Sequence, residues 1–468
     1  MHEVEQLIAG AWTPGSATRN LTVLNPADGT AVSRVPVASA ADVTAAVKAA
    51  RDAAPGWAQT APAVRAAALH AAANAVEAAT DELAAIMSAE MGKPVGGAAD
   101  SIAAGVGTLR QYAELGPTHR GRALAGDDQA IDLMAYGPRG VVAVITPWND
   151  PVAVSCGLLG AALVTGNTVV SKPSERTPAT GWRLARLLAP HFPDGVISLL
   201  GGDGEVGAAL SAADVDLVAH VGSTATGRAI AAACARSGAK ALLENGGSDP
   251  LLVDAGVDPV WAARQAALGA FANSGQICTS VERVYVHRAV AEPFLAALVT
   301  EAEKWSGEIG PLVDTRLRDT VHAQVSAAAE AGARVLTGGA VPDGPGAFYP
   351  PTVLADCADE MAVVREETFG PVAPVVTVDS FGEALSRAAD SPYGLAASVL
   401  TGSMSHAQQA WRELPVGTVK VNAVFGGAPG GAAQPRRGSG DGFGYGPELL
   451  DEMTVLKAVH LEAPPTGW

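Results

Sequence analysis

The chain holds four cysteines, Cys156, Cys234, Cys278 and Cys357, in 468 residues. None stands in CxxC spacing, so neither a disulfide framework nor a zinc site is indicated, and no metal is expected. A cysteine that does chemistry here is then a free thiol. Two glycine-rich turns suggest what such a thiol could work beside. Gly202, Gly204 and Gly207 form G-x-G-x-x-G between a strand candidate and a helix, the setting of a dinucleotide-binding loop. A tight turn uses glycines without any ligand, so this signal is weak alone. Gly222-Ser223-Thr224 with Gly227 occupies the next strand-to-helix turn, where free backbone N–H groups and the helix dipole favour a phosphate.

Four more segments give these signals a context: Pro147-Trp148-Asn149-Asp150-Pro151, Lys172-Pro173-Ser174-Glu175, Glu244-Asn245-Gly246-Gly247 and Gly275-Gln276-Ile277-Cys278. In this order and spacing they resemble the aldehyde dehydrogenase superfamily, NAD(P)-dependent and non-acylating. The resemblance extends to Glu366-Glu367-Thr368-Phe369-Gly370-Pro371, Pro392-Tyr393-Gly394-Leu395 and Val421-Asn422. It also takes in Asn25-Pro26, Trp57 and Glu90-Met91-Gly92-Lys93-Pro94, and so covers nearly the whole chain.

The resemblance implies a catalytic set of Cys278, Glu244 and Asn149. A thiolate adds to an aldehyde carbonyl, and the thiohemiacetal releases a hydride that the free aldehyde does not release easily. The oxyanion needs preorganised donors, which the family pattern assigns to the Asn149 amide and the Cys278 N–H. Hydride loss leaves a thioester, and its hydrolysis needs a base, matched by Glu244. CoA-acylating relatives generally lack that glutamate, so hydrolysis to the acid is favoured over acyl transfer to a thiol. A catalytically silent member of the fold is the rival from another class.

For the cofactor, the resemblance points to Trp148, Lys172, Ser174, Glu175, Gly204, Gly222, Ser223, Gly227, Asn245, Glu367 and Phe369. A carboxylate at Glu175 accepts from ribose hydroxyls and repels a 2′-phosphate, so NAD is expected over NADP, with NADP possible. Asp150, Gly157, Ile277 and Thr279 are expected to line the aldehyde pocket.

The sequence also departs from the family pattern. His220-Val221 replaces the common Phe-Thr, and Asn245 and Ser248 replace the Leu and Lys of E-L-G-G-K. Asp150 stands where an aromatic is common. Gly157 lacks the Arg that tends to mark members specific for succinate semialdehyde. Ala432-Ala433-Gln434-Pro435, followed by Arg436 and Arg437, replaces P-F-G-G, which suggests the loss of an aromatic pocket wall. Asp150 would favour a polar or cationic aldehyde, whereas Arg436 or Arg437 would favour an anionic one.

The elements that must position these residues are α/β. Val141 to Ile145, Thr168 to Ser171, Val196 to Leu200, Leu217 to Val221 and Ala241 to Leu243 are short apolar runs separated by helix-length segments, the pattern of buried parallel strands with crossover helices. The alternation resumes with Arg283 to His287, Val372 to Val378, Ala397 to Thr401 and Gly417 to Asn422. Ser39 and Asp42 make an S-x-x-D helix start near residue 40, and one Ala-rich helix is expected from Val64 to Glu90, ending at Gly92. Gly426 to Gly446 reads as a flexible loop. Two doubly wound domains follow: a Rossmann-type cofactor domain and an α/β catalytic domain. By resemblance they take residues 1–118 with 138–246, and 247–454. A small β oligomerisation arm takes 119–137 with 455–468, and homodimers or homotetramers are the family norm.

Composition limits the partners. A formal net charge of −17 repels nucleic acid and anionic membrane at long range. No signal-peptide pattern or long apolar span is visible, so a cytoplasmic enzyme acting on a small-molecule aldehyde is expected.

Overall fold

The computed structural model describes residues 1–16, 18–426 and 434–464. Its first sheet has eight strands, ordered Gly440–Asp441, Lys240–Glu244, Leu217–Val221, Val141–Ile145, Thr168–Lys172, Ile197–Leu199, Gln6–Ile8 and Ala11–Thr13. The five from Lys240–Glu244 to Ile197–Leu199 are mutually parallel. From the central strand Val141–Ile145 the chain winds outward to Ile197–Leu199, then returns to the other side with Leu217–Val221. The switch point therefore lies between Val141–Ile145 and Leu217–Val221, and ligands bind beyond the carboxyl ends of strands at such points. The loops leaving those two strands carry Trp148-Asn149-Asp150 and Gly222-Ser223.

The second sheet has seven strands, ordered Arg334–Thr337, Thr352–Ala355, Val372–Val378, Val281–His287, Asp249–Val253, Ala396–Leu400 and Thr418–Val421. All its pairs are parallel except the first. Asp249–Val253 sits near its centre and was not anticipated, because Ser248-Asp249-Pro250 reads as a turn. Residues 245–248 cross directly from the last strand of the first domain into it, so Glu244 and Cys278 are brought together by two sheets. Thr454–Glu462, Ala130–Pro138 and Arg122–Leu124 form a separate antiparallel sheet, the first two strands paired over nine residues.

Helix Ala40–Gln59 starts with the expected reciprocal capping box of Ser39 and Asp42. The single Ala-rich helix is instead two, Pro62–Ala78 and Thr80–Met91. Ala79 leaves helical geometry (φ −106°, ψ 17°) and Thr80 Oγ1 donates to the Glu77 carbonyl, a break that no glycine or proline marks. Gly92, at φ +83°, closes the second helix as expected. Within the same motif, the buried Glu90 carboxylate accepts from the N–H groups of Ala179 and Thr180 and the Ser33 and Thr180 hydroxyls, tying three elements together.

Helix Pro151–Val164 is apolar on every side and buried almost throughout. Gly105 and Gly160 let it lie close to helix Val95–Leu115: a Cβ on Gly105 would stand 3.2 Å from Ala153 Cα, and one on Gly160 3.2 Å from side-chain carbons of Leu109 and Tyr112. A rigidly seated helix fixes Asn149 and Asp150 at its start.

Candidate active site

A cavity of about 1020 Å³ opens at the switch point. Both domains line it. Trp148, Asn149, Asp150, Gly222, Ser223 and Asn245 come from the first, and Ile277, Cys278, Glu367 and Phe369 from the second.

The segment that delivers Cys278 is strained. Asn273 (φ 50°, ψ 34°) and Ser274 (φ 58°, ψ 33°) are left-handed and lead into Gly275 at φ +72°. Backbone of this kind persists only where the surroundings over-determine it. Here Ser274 Oγ donates to the Gly310 carbonyl (2.7 Å), and Gln276 Oε1 accepts from the Val313 N–H (2.8 Å). Gly275 packs so close to Gly370 that a Cβ would stand 2.1 Å from its carbonyl oxygen. Cys278 is half-buried at the end of this segment, and among the described residues its N–H makes no hydrogen bond. Asn149 Nδ2 donates to the Gln276 carbonyl (3.1 Å), which holds the amide beside the cysteine and leaves its second hydrogen free.

Burial pushes the Cys278 thiol up to about 12, and the charges of Glu244, Asp249, Glu367 and Asp150 push the same way. The thiol is therefore protonated at neutral pH and needs a base or a cation to ionise. Burial also raises the Glu244 carboxyl, to about 7, where it accepts a proton reversibly near neutrality. Glu244 is just behind the cavity wall, packed on Gly444 and next to Tyr445.

Glu367 Oε1 accepts from the Gly247 N–H (3.0 Å), and a Cβ on Gly246 would stand 2.2 Å from its other oxygen. The paired glycines of Glu244-Asn245-Gly246-Gly247 are what allow that approach. Phe369 is held at φ +53° by the buried Glu282 carboxylate, which accepts from the Thr368 and Phe369 N–H groups (3.0 and 2.8 Å). Its ring meets Trp148 edge-on at 5.5 Å. No sequence pattern pointed to Glu282.

The remaining cofactor candidates surround the first sheet's carboxyl edge. Ser223 caps helix Thr224–Ser237, its side chain accepting from the Thr226 N–H. Gly227 allows that helix to touch Asn245, since a Cβ there would meet Oδ1 at 1.9 Å. Lys172 is buried, donates to the Pro173 carbonyl, and lies 3.8 Å from Glu175 Oε2. Ser174 accepts from the Arg176 N–H. Ser223 and Asn245 are on the cavity wall, and Gly227, Lys172, Ser174 and Glu175 are not. Gly204 is further off: Asp203 caps its helix and pairs with Arg19 at 2.8 Å, so that N-terminus already faces a carboxylate. Arg176 was not anticipated; it stands over Trp148 at 5.3 Å and pairs with Asp314 at 3.1 Å.

On the aldehyde side, Asp150 and Ile277 line the cavity, while Gly157 and Thr279 are not on its wall. Gly157 is covered by Tyr445, whose ring carbon would lie 3.0 Å from a Cβ there. Tyr445, Phe425 and Trp305 supply aromatic wall to the cavity. Ala432 and Ala433, on which the expected loss of an aromatic wall rested, lie outside the described residues. Arg437 donates to the carbonyls of Ala389 and Ser391 (2.8 and 2.6 Å), and neither it nor Arg436 lines the cavity, so neither is placed to select an anionic substrate.

A doubly wound domain joined at its switch point to a second α/β sheet carrying a cysteine loop is the architecture of aldehyde-oxidising dehydrogenases. The profile of the Aldehyde dehydrogenase family matches residues 12–459, and the chain belongs to that family. Aldehyde dehydrogenase, mitochondrial, of Leishmania tarentolae is 35% identical, covering 97% of this chain and 94% of its own. The 3,6-anhydro-alpha-L-galactose dehydrogenase of Streptomyces coelicolor is 36% identical, covering 97% and 95%. The crystal structure of an NAD-dependent aldehyde dehydrogenase from Sinorhizobium meliloti superposes with a TM-score of 0.96 at 32% identity, covering 100% of this chain and 96% of that one. Among the described residues, no helix is long and apolar enough to cross a membrane.

Proposed function

We propose that this aldehyde dehydrogenase oxidises its substrate to the free carboxylic acid, with NAD as cofactor, through a thiohemiacetal and then a thioester on Cys278. The observation that carries this reading is Glu244: a buried carboxyl raised to about 7, close enough to Cys278 for its charge to oppose the thiolate. Such a group takes a proton from the water that hydrolyses the thioester. The free Asn149 amide hydrogen and the Cys278 N–H are the oxyanion donors.

The residues fit a dinucleotide. Gly222, Gly227 and Gly246 let His220, Asn245 and Glu367 pack against the backbone beside the crevice, Ser223 opens a helix N-terminus onto it, and Arg176 adds a cation. Glu367, seated on Gly247, and Phe369, seated on Glu282, would hold the nicotinamide half, and Lys172 and Glu175 the adenosine half. The Glu175 carboxylate favours NAD over its 2′-phosphorylated form. A dinucleotide held by these residues would supply the hydride acceptor that oxidation of the aldehyde requires.

Residues 1–118 with 138–246 form the cofactor domain in this reading, 247–454 the catalytic domain, and 119–137 with 455–468 an oligomerisation arm. The separate sheet of Arg122–Leu124, Ala130–Pro138 and Thr454–Glu462 supports the arm, since its outer strand is largely exposed and free to pair with a second copy.

The test is NADH formation from NAD and a set of aldehydes, with and without CoA, beside Cys278→Ala. Turnover without CoA that disappears in the variant is expected. A strict CoA requirement would replace hydrolysis with acyl transfer, and turnover surviving in Cys278→Ala would remove the covalent route.

A further inference from the structure

Away from the dinucleotide crevice, Asp150, Lys93, Ser101 and Tyr445 share one stretch of cavity wall. Lys93 Nζ lies 3.7 Å from Asp150 Oδ2 and donates to Ser101 Oγ at 2.9 Å, and Ser101 Oγ lies 3.3 Å from the same carboxylate oxygen. The Lys93 side chain is only 7% exposed, whereas that of Asp150 is 34% exposed and faces the cavity, and the formal charges of the two cancel. Asp150 Oδ1 is closed off and has no hydrogen-bond partner among the described residues, so the part-exposed remainder of the carboxylate is what a donor in the cavity can reach. The Tyr445 ring fills the space above Gly157, and among the described residues its hydroxyl also makes no hydrogen bond. One acceptor and one donor–acceptor are thus left on a wall shared with Cys278.

We propose that Asp150, Ser101 and Tyr445 form a hydroxyl-recognising subsite, and that the substrate is a short, uncharged aldehyde bearing hydroxyl groups. This rests on the aldehyde dehydrogenase reading above and names its substrate class. A substrate ammonium beside Asp150 would also face the Lys93 ammonium, which already compensates that carboxylate. A substrate carboxylate would meet Asp150 and, on the exposed rim, Asp100 and Glu308. An alkyl chain would leave the part-exposed Asp150 carboxylate and the Tyr445 hydroxyl without a donor or acceptor in the cavity, and sites built to bond a substrate hydroxyl reject analogues lacking it.

The experiment compares kcat/KM for glyceraldehyde, propanal, 3-aminopropanal and 3-oxopropanoate in the wild type, Tyr445→Phe and Asp150→Asn. Glyceraldehyde should exceed propanal by roughly 10- to 100-fold, the scale of a buried hydrogen bond to a charged acceptor. Tyr445→Phe, which removes one oxygen, should narrow that ratio. Asp150→Asn should narrow it too and raise 3-oxopropanoate relative to glyceraldehyde, because Lys93 is then uncompensated. Propanal, 3-aminopropanal or 3-oxopropanoate outperforming glyceraldehyde in the wild type overturns the subsite, as does a ratio that neither variant moves. Those outcomes leave the dehydrogenase reading intact. NADH formation from none of the four overturns this substrate class, and the dehydrogenase reading falls with it only if no aldehyde of the wider set is oxidised either.

Discussion

Gly444 lies against the carboxylate of Glu244 so closely that a Cβ at residue 444 would stand 1.5 Å from Oε1. The Gly444 backbone is not in the left-handed region, so alanine is admissible there and the carboxylate, at the end of a flexible side chain, is what must move. If Glu244 activates the hydrolytic water, Gly444→Ala should slow deacylation and spare hydride transfer. Stopped-flow measurement should then show a retained NADH burst followed by a steady state slower by about 10-fold or more. Equal losses in both phases would mean that the displaced carboxylate serves hydride transfer as much as hydrolysis.

The pH dependence follows from the same residue. Burial raises Glu244 to about 7, and its base form is the one that accepts a proton. Steady-state kcat should therefore rise from pH 6 to pH 8 and level off above. Glu244→Gln should abolish that limb and lower the plateau about 10²- to 10⁴-fold while keeping the burst. A limb that persists in the variant would assign the titration elsewhere.

Asn149 tests the oxyanion site. Its Nδ2 is anchored on the Gln276 carbonyl at 3.1 Å, so the free hydrogen is directed without cost at the moment of reaction. Asn149→Ala should lower the rate of the burst phase itself about 10²- to 10³-fold, in contrast to the Glu244 variants. Aspartate at 149 should be no better, because it offers no donor when ionised.

These assignments divide by how they are encoded. Cys278, Glu244 and Asn149 were legible because each stands in a short motif, and the parallel strands because strands buried on both faces read as unbroken apolar runs. Asp249–Val253 was hidden by its own turn-like residues; only pairing on both sides makes Pro250 a strand residue. The break at Ala79 follows no residue preference. Tyr445 sat in a stretch that reads as a glycine-rich loop, and its meaning comes from Gly157, far away in the chain. The Lys93–Asp150 pair is likewise a tertiary contact. Of the polar or cationic aldehyde expected from Asp150, it argues against the cationic one by pairing that carboxylate with Lys93, which periodicity and spacing do not encode.

Asp249 gives a prediction about stability. Its Oδ1 accepts from the Ala396 N–H at 3.0 Å, and burial raises its carboxyl to about 8, partly offset by Lys420 and Arg283 and reinforced by Glu367. A folded pKa above the unfolded one means that this group's contribution is fully present below pH 4 and is lost as pH rises through about 8. Asparagine keeps the acceptor for Ala396 and cannot ionise. Asp249→Asn should therefore lose less stability than the wild type between pH 5 and pH 8, the gap widening by at most about 1.4 kcal/mol per pH unit. Glu244 and Glu367 are raised in the same direction and remain in both proteins, so the difference reports Asp249 together with its coupling to its carboxylate neighbours. Denaturation midpoints measured across that range would decide it: parallel curves would show that Asp249 is already ionised in the folded protein, its charge carried by Lys420 and Arg283.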